Sequence, residues 1–102
     1  MCGIAGFCSP HQKFTDEKSR WISVLEQMNQ VQKRRGPDDE GTWLDDHCGL
    51  AHVRLAIIDR ITGHQPMTHT IATSTFSIVF NGEIYNMKEL KKDLQKEGIL
   101  FS

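Results

Sequence analysis

The sequence carries almost no net charge: 12 Lys and Arg against 13 Asp and Glu leave a formal charge of -1 over 102 residues. That balance removes the electrostatic footprint needed to bind nucleic acid or an anionic membrane surface. The one basic cluster, Lys33-Arg34-Arg35, is followed at once by Asp38-Asp39-Glu40, which cancels it. Long apolar runs are missing too. None approaches the ~20 residues that span a bilayer, and the first residues lack the basic and apolar segments of a secretory leader. Cysteine is scarce, and Cys2, Cys8 and Cys48 are odd in number and widely spaced. They make no disulfide framework. The simplest reading is reduced thiols in a cytoplasmic chain, with Cys8 and Cys48 as core residues. Internal repeats and low-complexity tracts are absent as well. What remains is 38% hydrophobic and 25% charged, the composition of a folded domain with a modest core.

The pattern along the chain alternates between strand and helix. Residues 3–8, GIAGFC, are apolar and glycine-spaced, as in a buried strand where backbone meets backbone. After Ser9-Pro10, Thr15 or Asp16 can cap a helix that carries Trp21, Val24, Leu25, Met28 and Val31 on one stripe. Gly36-Pro37 should end it. Strands then follow at 41–44 and 49–58, with Asp45-Asp46-His47 as the turn between them. A polar connection at 62–67 leads to a strand at 75–80. Asn81-Gly82 would join it as a hairpin to Glu83-Ile84-Tyr85. A second helix spans roughly Met87 to Glu97 and stops at Gly98. This order predicts an α+β arrangement with antiparallel sheets. A new apolar run, Ile99-Leu100-Phe101, suggests that the domain continues beyond Ser102.

Three features can carry chemistry. Cys2 alone is weak evidence, because a cysteine near a terminus is usually a small hydrophobe. Removal of Met1 would nonetheless place a free α-amine beside its thiol, so that the nucleophile carries its own general base. Asn81-Gly82 pairs a side-chain amide with a backbone N–H, two donors suited to a developing oxyanion, although a hairpin turn explains the dipeptide equally well. Arg54 interrupts an apolar strand. It wants a carboxylate, either from one of the acidic residues or from a substrate. His52 in the same strand reads as packed or hydrogen-bonded. Cys2, Cys8, His47, Cys48 and His52 fit no zinc spacing, so no metal is expected.

Together these residues resemble a family. Met-Cys-Gly-Ile-Ala-Gly-Phe, Arg35-Gly36-Pro37-Asp38, His52 to Asp59, Gly63-His64-Gln65-Pro66-Met67 and Asn81-Gly82-Glu83-Ile84-Tyr85-Asn86 look like the motifs of class II glutamine amidotransferases, in the family order. The wording is closest to the N-terminal glutaminase domain of the asparagine synthetase branch. The resemblance implies that Cys2 attacks the side-chain amide of L-glutamine and that Asn81 and Gly82 form the oxyanion hole. It further implies that Arg54 holds the α-carboxylate, with Leu55, Ala56, Ile57, Ile58 and Glu83 completing the pocket. Arg34, Arg35 and Asp38 would shape the loop that packs against it.

Ammonia would pass to a synthetase domain that amidates aspartate with ATP and magnesium, and no cofactor is expected in residues 1–102. The implied fold is part of an α/β/β/α N-terminal-nucleophile sandwich, and this chain would be the N-terminal part of that domain. An aspartate that grips the glutamine amino group would lie just past Ser102. A homodimer is compatible with this reading. So are two alternatives: an inactive binding or regulatory module, or a glutaminase domain serving another acceptor.

Overall fold

The computed structural model describes residues 2–55, 63–82 and 84–100. Strand β1 (Gly3–Cys8) leads through a single 3-10 turn, Phe14–Glu17, into helix α1 (Lys18–Gln32). Strands β2 (Asp39–Leu44) and β3 (Cys48–Arg54) follow, then β4 (Met67–Ile71), β5 (Ser74–Ile78) and helix α2 (Met87–Lys96). The first three strands make an antiparallel sheet in the order β1-β3-β2, and β4 pairs antiparallel with β5. The architecture is α+β with antiparallel sheets, as the sequence pattern predicts.

Helix α1 forms because its apolar residues recur at helical spacing, and it covers one face of the three-stranded sheet. Leu25 is fully buried there, with Ala51 and Val53 of β3 also sealed from solvent. At the end of α1 toward the 3-10 turn, Phe7, Phe14 and Trp21 pack as an aromatic trio with ring centroids 4.7, 5.4 and 4.9 Å apart. Such edge-on contacts add to plain area burial.

Two details of the helix depart from expectation. Val31 is 89% exposed, because at about 100° per residue it lies about 120° around the helix from Leu25. Asn29 takes the buried place instead. Its amide donates to the Gly41 carbonyl at 3.1 Å, and its own oxygen accepts from Gln32 at 3.1 Å. Nor does Thr15 or Asp16 cap α1, which starts at Lys18 without a side-chain cap. The Thr15 hydroxyl bonds Asp46 across the turn between β2 and β3 instead.

That turn matches the sequence reading. Asp45 accepts from the backbone N–H of His47 at 2.9 Å and of Cys48 at 2.7 Å, an Asx turn that reverses the chain. The expected hairpin at Asn81-Gly82 does not form among the described residues. Strand β5 ends at Ile78, and the hairpin lies one strand earlier, at Ala72-Thr73 between β4 and β5. There Ala72 takes a positive φ of 54°. The polar connection expected at 62–67 therefore gives way, from Met67 on, to a strand with the alternating Met-Thr-His-Thr-Ile pattern. The expected extension of β3 to residue 58 falls partly on residues 56–62, outside those described. Helix α2 ends where expected, with Gly98 at φ +89°, the left-handed position that favours glycine.

The thiols are the largest correction. Cys8 and Cys48 face each other directly across β1 and β3, with Cα atoms 4.2 Å apart, and form a disulfide. They are not free core thiols, and Cys8 is exposed. Cys2 is the free cysteine among the described residues.

Candidate active site

Pairing in the three-stranded sheet decides which side chains meet. Directly opposed residues share a face, and faces alternate along each strand. Val53 and Ala51 turn toward α1, so Arg54 and His52 turn away from it. Asp39 is paired with Arg54, and Gly41 with His52. On the other side of β3, Gly3 pairs with Val53. One step further along, Cys2 comes level with Arg54. The register thus draws Cys2, Arg54, Asp39 and His52 onto one patch at one end of the sheet.

The chain after β5 lies over this patch. The Asn81 side-chain amide donates to the Cys2 carbonyl at 3.0 Å, and the Arg35 guanidinium donates to the same oxygen at 3.3 Å. Residues far apart in sequence therefore converge on Cys2. Asn81 and Gly82 remain exposed. Gly82 lies against the Phe80 ring, where an added Cβ would come 3.0 Å from it. Arg54 is 8% exposed, and its guanidinium lies against Gly63. Leu55 follows Arg54 and is partly buried. Ala56, Ile57, Ile58 and Glu83 lie outside the described residues. Of the expected site, Cys2, Asn81, Gly82, Arg54 and Leu55 are thus located.

Several neighbours are assigned no role in the site by the sequence. The Asp39 carboxylate accepts from the His64 ring at 2.6 Å while also capping the Glu40 N–H at 3.0 Å. His52 is 1% exposed, and neither ring nitrogen makes a hydrogen bond of good geometry among the described residues, although the Phe80 backbone lies close to the ring. Its pKa is held below the ordinary imidazole value, chiefly by burial. The Phe80 backbone and the Asp39 charge oppose that shift, while His64 and Arg54 reinforce it. The ring is therefore neutral at neutral pH. Gln65 accepts the Phe80 backbone N–H at 2.6 Å. A shallow apolar groove of about 440 Å³ runs along β1 beside the patch, with Ile4, Leu50 and Val79 among its walls.

Chemically, the patch brings Cys2, the Asn81 side-chain amide and Arg54 into one neighbourhood. That set suits attack on a carbonyl in a molecule that also bears a carboxylate. Among the described residues, no group of three or more His, Cys, Asp or Glu could hold a metal. Nor is any described helix long and apolar enough to cross a membrane.

Comparison with known proteins identifies the family. A family model described as a glutamine amidotransferase domain matches residues 1–102. The chain is similar to asparagine synthetase [glutamine-hydrolyzing] 3 of Bacillus subtilis, 37% identical over 101 residues, covering 99% of this chain and 16% of that protein. It is similar to the asparagine synthetase of Sandersonia aurantiaca at 44% over 98 residues, covering 92% and 17%. A putative asparagine synthetase of Methanocaldococcus jannaschii is 37% identical over 114 residues, covering 95% and 21%. The chain thus spans about a fifth or less of the length of these relatives. From the first residue to the last it belongs to the glutamine amidotransferase domain family, with glutamine-hydrolysing asparagine synthetases as its relatives.

Proposed function

We propose that this chain is the N-terminal part of the glutaminase domain of an asparagine synthetase, within an α/β/β/α N-terminal-nucleophile sandwich. The single observation that supports this most is the Asn81 side-chain amide bonded to Cys2 at 3.0 Å. It puts a candidate oxyanion donor beside the candidate nucleophile.

In the proposed reaction, loss of Met1 exposes the Cys2 α-amine, which takes the thiol proton. The thiolate attacks the side-chain carbonyl carbon of L-glutamine, and its oxygen becomes an oxyanion facing Asn81 and Gly82. The Asn81 amide would turn from the Cys2 carbonyl to that oxygen. Collapse breaks the carbon–nitrogen bond, and the protonated α-amine returns its proton so that ammonia leaves. Water then cleaves the γ-glutamyl thioester, releasing glutamate and restoring the thiol.

Arg54 would clamp the α-carboxylate through two parallel N–H donors. Leu55, Ala56, Ile57, Ile58 and Glu83 would line the pocket. The ammonia would amidate aspartate in a synthetase domain, where ATP and magnesium would act. Assembly as a homodimer is compatible with this scheme.

The test is intact mass followed by labelling with a diazo-ketone analogue of glutamine. Loss of Met1 and a single adduct on Cys2 are expected. In the full-length protein, Cys2→Ala should abolish glutamine-dependent amidation and spare the ammonia-dependent reaction. Glutamine use that survives Cys2→Ala would sink the proposal.

A further inference from the structure

We propose that Gln65 is a positioning residue for the oxyanion hole, its side-chain carbonyl fixing the Phe80 peptide and thereby the place of Asn81 and Gly82. The inference rests on the glutaminase reading above.

The argument starts from a shortage of backbone partners. Strand β5 ends at Ile78, so the segment that delivers Asn81 has left its ladder, and its N–H groups must take side chains or water as acceptors. The Phe80 N–H finds the Gln65 Oε1 at 2.6 Å. Asn81 is the next residue, and its amide reaches the Cys2 carbonyl. One side-chain acceptor therefore sits a single peptide away from the proposed oxyanion donors. The Phe80 ring adds a second hold, because it packs against Gly82.

Gln65 can do this only if its own segment is fixed, and two contacts with β2 fix it. At Gly41 an added Cβ would stand 2.1 Å from the Gln65 carbonyl oxygen and 2.9 Å from the His64 Nε2. Segment 64–65 is thus pressed onto bare β2 backbone, where no side chain could fit. The His64 ring bonds Asp39 on the same strand at 2.6 Å. The Gly41 carbonyl in turn accepts from the buried Asn29 of α1 at 3.1 Å. A continuous path therefore runs from the helix core through β2 to Gln65, then to Phe80 and Asn81, and ends at Cys2.

An oxyanion donor has to be held within about 0.5 Å of its working position. An error of about 1 Å can cost about a hundredfold in rate. A donor on an irregular, exposed segment meets that demand only through a support such as this one.

The proposal is tested in the full-length protein by steady-state glutamine hydrolysis. Gln65→Leu keeps the volume and removes the acceptor. It should lower kcat about 10- to 100-fold with KM changed less than about threefold. Gln65→Glu retains an acceptor and should restore kcat to within about threefold. The deciding measurement is the same Gln65→Leu change made on top of Asn81→Ala. If Gln65 acts through Asn81, it should there cost less than about twofold.

An equal loss in both backgrounds overturns the proposal, as does a Gln65→Leu protein with unaltered kcat. Should Gln65→Leu not fold, Gln65→Asn withdraws the acceptor by one methylene and carries the same expectation. If Cys2→Ala retains glutamine hydrolysis, the underlying reading fails and takes the proposal with it. If Cys2→Ala and Asn81→Ala both lose activity while Gln65→Leu does not, the positioning role alone fails.

Discussion

Opening the Cys8–Cys48 bridge gives a stability change that can be worked from its place in the chain. The bridge joins residues 40 apart in sequence. Closing a loop of about that length removes about 13 cal/mol/K of chain entropy from the unfolded state, or about 3.9 kcal/mol at 25 °C. In the folded state little else should change. The same two strands remain joined by pairs from Gly3–Val53 to Phe7–Gly49, and the aromatic trio beneath them is untouched.

The loss should therefore appear in the equilibrium, about 700-fold toward the unfolded form, without a change of fold. The assay is urea unfolding of oxidised and reduced protein, with a Cys8→Ser/Cys48→Ser variant as a second reduced state. Intact mass after alkylation without reductant should show one modified thiol, on Cys2. Equal unfolding midpoints for the oxidised and reduced forms, or three alkylated cysteines under oxidising conditions, would refute the reasoning.

Two further outcomes follow from the core and from the buried imidazole. Leu25 is 0% exposed, so Leu25→Ala should cost about 2–5 kcal/mol through lost burial and the cavity left behind, read as a lower urea midpoint at an unchanged slope. His52 has a folded pKa below its unfolded value of about 6.5, so the unfolded state binds the proton first. Its contribution to stability is complete above about pH 6.5 and is lost as the pH falls toward the folded pKa. Between about pH 7 and 5.5 the wild type should therefore lose more stability than His52→Gln does, and parallel pH profiles for the two would contradict a buried, neutral ring.

Much of the fold is legible in the sequence where local periodicity decides it. The stripe of Trp21, Leu25 and Met28 marks α1, Gly98 marks the end of α2, and Asp45-Asp46-His47 marks a turn. Periodicity does not see partners. It favours Val31 over Asn29 for the core, because only the assembled sheet reveals that the Gly41 carbonyl needs a donor there. An odd cysteine count hides the Cys8–Cys48 bridge until the β1–β3 register sets the two opposite each other. Asn-Gly is a strong turn signal, yet the hairpin forms at Ala72-Thr73.

At the candidate site, Cys2, Arg54 and Asn81 are singled out in the sequence by the motifs they belong to, since Cys2 and Asn81 are each ordinary when taken alone. The motif around Gly63 flags His64 and Gln65 but gives them no role, and Asp39 is not flagged as a site residue at all. They are ordinary polar residues whose significance comes from what the fold lays beside them.

The three-stranded sheet holds the buried core, with Leu25, Ala51 and Val53 sealed under α1, whereas every residue of β4 is exposed. The patch around Cys2 thus straddles a boundary between a firm part of the molecule and a soft one. Amide protons of β3 should exchange with solvent slowly and those of β4 and β5 quickly, since local opening draws on few packed contacts. A small molecule spanning Arg54 and Asn81 would tie the two parts together, and its binding energy would appear as slower exchange in the hairpin strands. Occupancy of the site and order in its outer wall would then be one equilibrium.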